Sequence, residues 1–349
     1  MISLFLPPNF FKMNLNHIIL LTKSRKMKIK LISGVTLLFV LSLATISLNA
    51  QTLDDVVSKY NAAAEFVNSD AIKAAGLLEE AVDLANKVGA EADDLRIMAE
   101  SQLPAVYFKI AGQHQKDGDI DVAIEAFRKS FDLGLEYNDP HTVSRSQANL
   151  GRLYLMQGNN AYRGGENEKA IEYLKNSVNF DPENAKTFLL MGLAYRKLEN
   201  LEEMTTAMDQ SIVLAQNAGD NQTKTTAEKS MRDYLAVRAN KSIQANKGAE
   251  AVEFMQLALK YGEEAQTYFL LTLAYNNLKQ WDNALEAAGK ALALENDTPT
   301  DKAKIYFEMG NAYREKGNTA EACKAFKNAA HGNYAESANY QIQHVLKCQ

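Results

Sequence analysis

A pattern of large and small residues recurs along this chain at an interval of about 34 residues, and internal repetition of that kind constrains a fold more than any local propensity. It is plainest over residues 265–294, where Tyr268, Leu271, Thr272 and Tyr275 precede Ala284, Ala288 and Ala291. Residues 303–330 repeat it with Tyr306, Met309, Gly310 and Tyr313, then Ala322, Phe326 and Ala329. Residues 185–213 give Phe188, Met191, Gly192 and Tyr195, then Met204, Met208 and Ser211. Residues 104–133 give Tyr107, Ile110, Ala111 and His114, then Ala123, Phe127 and Ser130.

Within each half of a unit the large residues stand three and four apart, which places them on one face of a helix. Two such helices bury their stripes against each other and against the next pair, so small residues are required where they approach most closely. Gly192, Gly310, Ala284 and Ala322 occupy those places. The breakers fit: Pro140, Pro182 and Pro299 fall between units, Gly118-Asp119 and Gly317-Asn318 fall between the two helices of a pair, and Pro104 is expected to open a helix.

An aromatic, Leu-Gly, Tyr, then Ala, an aromatic and Ala resembles the tetratricopeptide repeat. Three weaker units match at Ala62, Ala74 and Ala81, at Ala239, Ala251 and Ala258, and at Leu150, Gly151, Tyr154, Ala170, Leu174 and Ser177. In the last of these the second half arrives seven residues late, about two helical turns, so its first helix is expected to lengthen through Asn159–Arg163. The resemblance implies an all-α, right-handed superhelical solenoid. Its seven hairpins lie near 55–88, 104–137, 144–184, 185–218, 232–262, 265–298 and 303–332. Residues 333–349 form a capping helix with Ala338, Ile342, Val345 and Leu346 inward.

The first fifty residues follow another logic. Lys28 and Lys30 lead into Leu31–Leu48, eighteen residues without a charge, and then to Asn49-Ala50. Basic, apolar and small residues in that order read as a signal peptide over 27–50, cut after Ala50, which predicts an exported, periplasmic or envelope-associated protein. The same stretch sits at the lower limit of a membrane span, so retention as an anchor, the one route to membrane contact, is the rival reading. Residues 1–26 fit neither, and are read as lying upstream of a true start at Met27 or Met13.

Six of the 38 Lys and Arg lie in that leader and no acid does, leaving 32 basic against 43 acidic side chains from residue 51 onward. An acidic body argues against nucleic acid as a partner. No Gly-rich phosphate loop, serine elbow or His-Glu-x-x-His helix is present, so neither catalytic residues nor a cofactor are expected. Cys323, His331, His344 and Cys348 crowd the C-terminal end. Three readings stay open there: a Cys323–Cys348 disulfide, two free cysteines, or metal ligation, with no metal in the preferred reading.

Members of the resembled family hold peptides or partner proteins along the concave wall of their first helices. Carried onto this sequence, that wall comprises Phe108, Arg152, Leu155, Leu193, Arg196, Lys197, Phe269, Asn276, Asn277, Phe307 and Arg314, with Leu189 and Leu273 beside them. The family's clamp for a C-terminal carboxylate wants Lys and Asn four apart, whereas Lys59 is followed by Ala63, so that mode is not expected. The reading is a non-enzymatic scaffold binding a protein or peptide. A subunit anchored in a larger envelope complex and a glycan-binding protein using Asn160, Tyr162 and Arg163 are the alternatives.

Overall fold

The computed structural model describes residues 52–295 and 298–349, so the leader and its cleavage site lie outside the described residues. Those residues form fifteen α-helices and, among them, no strand. Fourteen pair as antiparallel hairpins: α1 (Leu53–Phe66) with α2 (Ala71–Val88), α3 (Asp93–Asp117) with α4 (Ile120–Glu136), α5 (Pro140–Arg163) with α6 (Asn167–Phe180), α7 (Ala185–Lys197) with α8 (Leu201–Ala218), α9 (Asn221–Gln244) with α10 (Gly248–Leu259), α11 (Ala265–Asn277) with α12 (Trp281–Leu294), and α13 (Pro299–Glu315) with α14 (Thr319–Ala329). Each helix packs on its neighbours in sequence. Alternate helices also come close in the odd-numbered row from α1 to α13, and no comparable pairing joins the even-numbered helices. The odd row is therefore the tighter, inner one, as an all-α solenoid requires.

The small and large slots of the repeat are the core. Ala123, Ala251, Ala288, Ala322 and Ala329 are fully buried, as are Met204, Met208, Leu174 and Phe326. Three serines occupy the alanine slot of the second helix and serve a second purpose. Ser130, Ser177 and Ser211 each donate from Oγ to a carbonyl of the first helix, at Pro104, Gly151 and Ala185, over 2.8, 2.9 and 2.9 Å. Each closes a buried bond that an alanine would leave out.

Six of the seven hairpin turns share one geometry. Gly118, Gly165 and Gly317 stand at positive φ between the helices of their hairpins, and Glu199, Asn246 and Lys279 take the same conformation in the α7–α8, α9–α10 and α11–α12 turns. Pro140 and Pro299 open α5 and α13, where a missing N–H costs nothing.

Three local expectations change. Pro104 does not open a helix: α3 begins eleven residues earlier and runs through it, because Ala99 and Leu103 bury against the first hairpin. In α1 it is Ala63, fully buried, that fills the small slot, while Ala62 is half-buried. The cap is not one helix but α15 (Ala335–Tyr340) followed by a π-helical turn over Gln341–Val345, and Val345 points outward at 45% exposure. Ala338, Ile342 and Leu346 do cover the last core cluster. The α5 helix does extend through Arg163, as the seven-residue delay requires.

Candidate functional site on the odd-helix wall

Three clefts follow one another along the inner row. The first lies between α3 and α5, about 630 Å³, lined by Phe108, Lys109, Lys116 and Arg145 among others. The second spans α3, α5 and α7, about 440 Å³, with Arg152, Leu155, Met156, Asn159, Lys186 and Leu190 on its walls. The third, about 390 Å³, shares Lys186 and Leu190 and reaches α9 at Asp220 and Thr223. The face of α5 that opens onto them carries Arg145, Asn149, Arg152 and Met156, spaced four, three and four apart, which is a single helical stripe.

Arg152 and Leu155 both line the middle cleft. Phe108 sits in the neighbouring cleft, its ring edge-on to Phe127 at 5.2 Å and covered by the Arg145 guanidinium at 4.0 Å. Arg196 is half-buried and Lys197 exposed near the end of α7, and no ion pair engages either.

Leu189 lines the third cleft, while other predicted residues are engaged within the fold. Leu193 and Phe269 pack half-buried against the central core, and Lys304 lies over the Phe269 ring at 5.4 Å. Phe307 joins the C-terminal cluster between Phe326 at 5.4 Å and Tyr334 at 5.3 Å. Asn277 donates to Asn246 Oδ1 over 2.7 Å, tying two turns together. Arg314 donates from Nη1 to Gln341 of the cap over 2.7 Å and pairs with Glu315 at 3.0 Å. Asn276 donates from Nδ2 to the backbone oxygen of Glu308 at 3.2 Å and to its Oε2 at 3.0 Å. Burial pushes the Glu308 carboxyl above the ordinary carboxylate range, against the opposing pull of hydrogen bonds from Asn311 and Asn276 and of the Arg314 charge.

Met156, Asn159, Lys186, Leu190 and Gln115 line the middle cleft without having been singled out in the sequence. The α5 stripe was the available signal, since Met156 stands four residues after Arg152 on the same face. The residues weighed for a sugar site lie apart from these clefts; Tyr162 packs half-buried against the central core. Cys323 and Cys348 are joined as a disulfide with their Cα atoms 5.7 Å apart. Among the described residues no group of three or more acidic, His or Cys side chains gathers as a metal site.

Residues 303–330, which form most of α13 and α14, match the family model of the tetratricopeptide repeat. The six preceding hairpins share that unit's pairing and its buried small slots. That last unit is a tetratricopeptide repeat, and the chain as a whole is an all-α solenoid of paired helices. No curated protein matches it significantly. Among solved structures, a MamA protein is 21% identical over 57% of this chain and 97% of its own, with a TM-score of 0.35. MamA from Desulfovibrio magneticus RS-1 is 20% identical over 54% and 96%, at 0.34. YrrB, described as a tetratricopeptide-repeat protein with an unusual peptide-binding site, is 16% identical over 56% and 88%, at 0.32. No described helix is long and apolar enough to cross a membrane.

Proposed function

We propose that the chain is a non-enzymatic scaffold that binds a partner protein along the inner wall of its odd-numbered helices, and that it works as an exported protein of a bacterial envelope. One observation carries the binding reading: the series of clefts from α3 to α9, where apolar side chains stay partly open beside five cations and only two acids. A wall preformed by packing loses little conformational entropy when a partner docks, so modest contacts suffice. The order of basic, apolar and small residues before Gln51 supports export.

Site-specific photocrosslinking tests the wall. A photoreactive phenylalanine analogue at Met156, exposed in the middle cleft, is expected to capture a defined protein in the producing cells. The same group at Lys175, exposed on α6, is expected not to. Capture from position 175 alone would move the binding face to the even helices, and the absence of an adduct at 156 would remove the wall from consideration. Sequencing the mature N-terminus tests export separately, with Gln51 the expected first residue and an uncut leader the outcome that overturns it.

A further inference from the structure

The clefts gather positive charge on an otherwise acidic body. Five cations, Lys109, Lys116, Arg145, Arg152 and Lys186, line them against only two acids, Asp117 and Asp220, in a body where acids outnumber bases 43 to 32. Asp220 is already committed, accepting from the Thr223 backbone N–H at 3.0 Å and hydroxyl at 2.7 Å. Some cations elsewhere pair with acids, as Lys59 does with Glu80 and Lys290 with Glu286, at 2.6 and 2.9 Å. Arg145 lies over an aromatic ring, Arg152 donates to Asn149 Oδ1 at 2.8 Å, and Lys186 acts on Asp220 of the third cleft through its charge, without a close ion pair among the described residues.

Between these cations the floor is apolar. Leu153, Leu155, Met156 and Leu190 line the middle cleft, and Met156 keeps 37% of its surface open. Arg145 and Arg152 stand seven residues apart on one stripe of α5, a rise of about 10 Å, close to the reach of about three extended residues. Lys186 lines the same middle cleft from α7, with Leu155 and Leu190.

We propose that this cleft binds an internal segment of the partner in which a large apolar side chain is flanked on both sides by carboxylates about three residues apart. The proposal rests on the inner wall being the binding face and adds the chemistry of what it takes. Guanidinium and ammonium groups meet carboxylates through charge-assisted hydrogen bonds, and the apolar floor takes the side chain between them. The cations are spread over three helices and are not gathered at one point, so recognition does not require a free C-terminal carboxylate.

The test is selection of displayed random twelve-residue peptides on the full-length protein. Enriched sequences are then synthesised with free and with amidated C-termini and titrated by fluorescence anisotropy. Two variants are compared with the native chain: Arg152→Glu with Lys186→Glu in the cleft, and Lys87→Glu with Lys175→Glu, the same charge change on the exposed surfaces of α2 and α6. All four side chains are exposed, so folding, checked by circular dichroism, is expected to survive. The enriched peptides should carry Asp or Glu on both sides of Leu, Met or Phe. The cleft variant should lose affinity by about tenfold or more, the control by no more than about twofold, and binding should weaken as salt is raised. Amidation should leave affinity unchanged; its abolishing binding would overturn recognition of internal segments. Enriched peptides without acids that still fail on the cleft variant would overturn the acidic chemistry and leave the wall standing. Peptides bound equally by the cleft variant, or no enriched family at all, would overturn both.

Discussion

A methyl group placed on Gly310 would fall 2.8 Å from three ring carbons of Phe326, closer than real contacts allow. The ring is fully buried, held edge-on against Phe307, and has nowhere to turn. At Gly192 the atoms in the way, also 2.8–2.9 Å distant, belong to the flexible thioether of Met208. Overpacking costs about 1–3 kcal/mol where neighbours are rigid, and alanine returns up to about 1 kcal/mol of helix propensity over glycine. Gly310→Ala is therefore expected to lower the urea midpoint clearly, and Gly192→Ala to change it little; equal effects would contradict the distinction. The glycines were legible because the repeat marks their slots. The serine bonds were not, since Ser130, Ser177 and Ser211 read as ordinary substitutes for alanine until the carbonyl facing each is known. Glu308 was equally hidden, because burial of an acid depends on α11 and the cap as well as on its own helix. Its raised pKa means that the folded state holds the proton more tightly than the unfolded one. That contribution is fully present below the ordinary carboxylate value and is lost as pH rises through the folded one. Glu308→Gln keeps an acceptor for Asn276 without the charge. It is expected to raise the melting temperature at neutral pH, with the gain shrinking as pH falls into the carboxylate range. A lower melting temperature at neutral pH would show that the charge itself is stabilising.

Element boundaries carry the clearest lesson about what a sequence displays. A proline in a helix interior costs about 3 kcal/mol or more, so Pro104 reads as a start. The structure runs α3 through it because three earlier turns bury Ala99 and Leu103 on the first hairpin, and Arg96 pairs with Glu100 at 2.9 Å beside them. Tertiary burial outweighs the local penalty, and no local pattern announces it. The wall was legible as a row of first helices, yet several polar positions assigned to it were not, because Asn277 and Arg314 are used by turns and cap that a helix-by-helix offset does not contain. The cap itself depends on its tether. Cys348 follows an irregular π turn, and the bond to Cys323 closes a loop of 25 residues over the last core cluster. In the chain-entropy account such a loop contributes about 3 kcal/mol. Replacing both cysteines by serine is expected to release residues 335–349 first, seen as faster amide exchange there, while α11 and α12 keep their protection. Unchanged exchange in the cap would mean that Ala338, Ile342 and Leu346 hold it without the disulfide.

Across the described residues the buried core is not continuous. One cluster runs from Ala63 to Tyr154, within α1 to α5, and another from Ile171 to Ile305, within α6 to α13. They meet at the α5–α6 hairpin, where half-buried aromatics form the join: Phe180 stacks on Tyr154 at 5.9 Å and Tyr173 tilts against it at 6.4 Å. In a solenoid each hairpin feels mainly its neighbours, so stability is close to a sum of unit and interface terms. Such a sum lets one side open while the other stays closed. Leu78 in α2 and Met255 in α10 are both fully buried, one in each cluster. Truncating either to alanine is expected to cost about 2–5 kcal/mol. Leu78→Ala should then speed amide exchange through α1 to α4 and leave α9 to α12 at their native rates, and Met255→Ala should do the reverse. A uniform acceleration by either variant would mean that the aromatic join couples the two cores as firmly as packing within each. The proposed binding cleft lies across this join, on α3, α5 and α7, so the two cases differ for function as well. If the halves open independently, a peptide bridging Arg152 on α5 and Lys186 on α7 should slow exchange in both at once, because it binds only when both are closed.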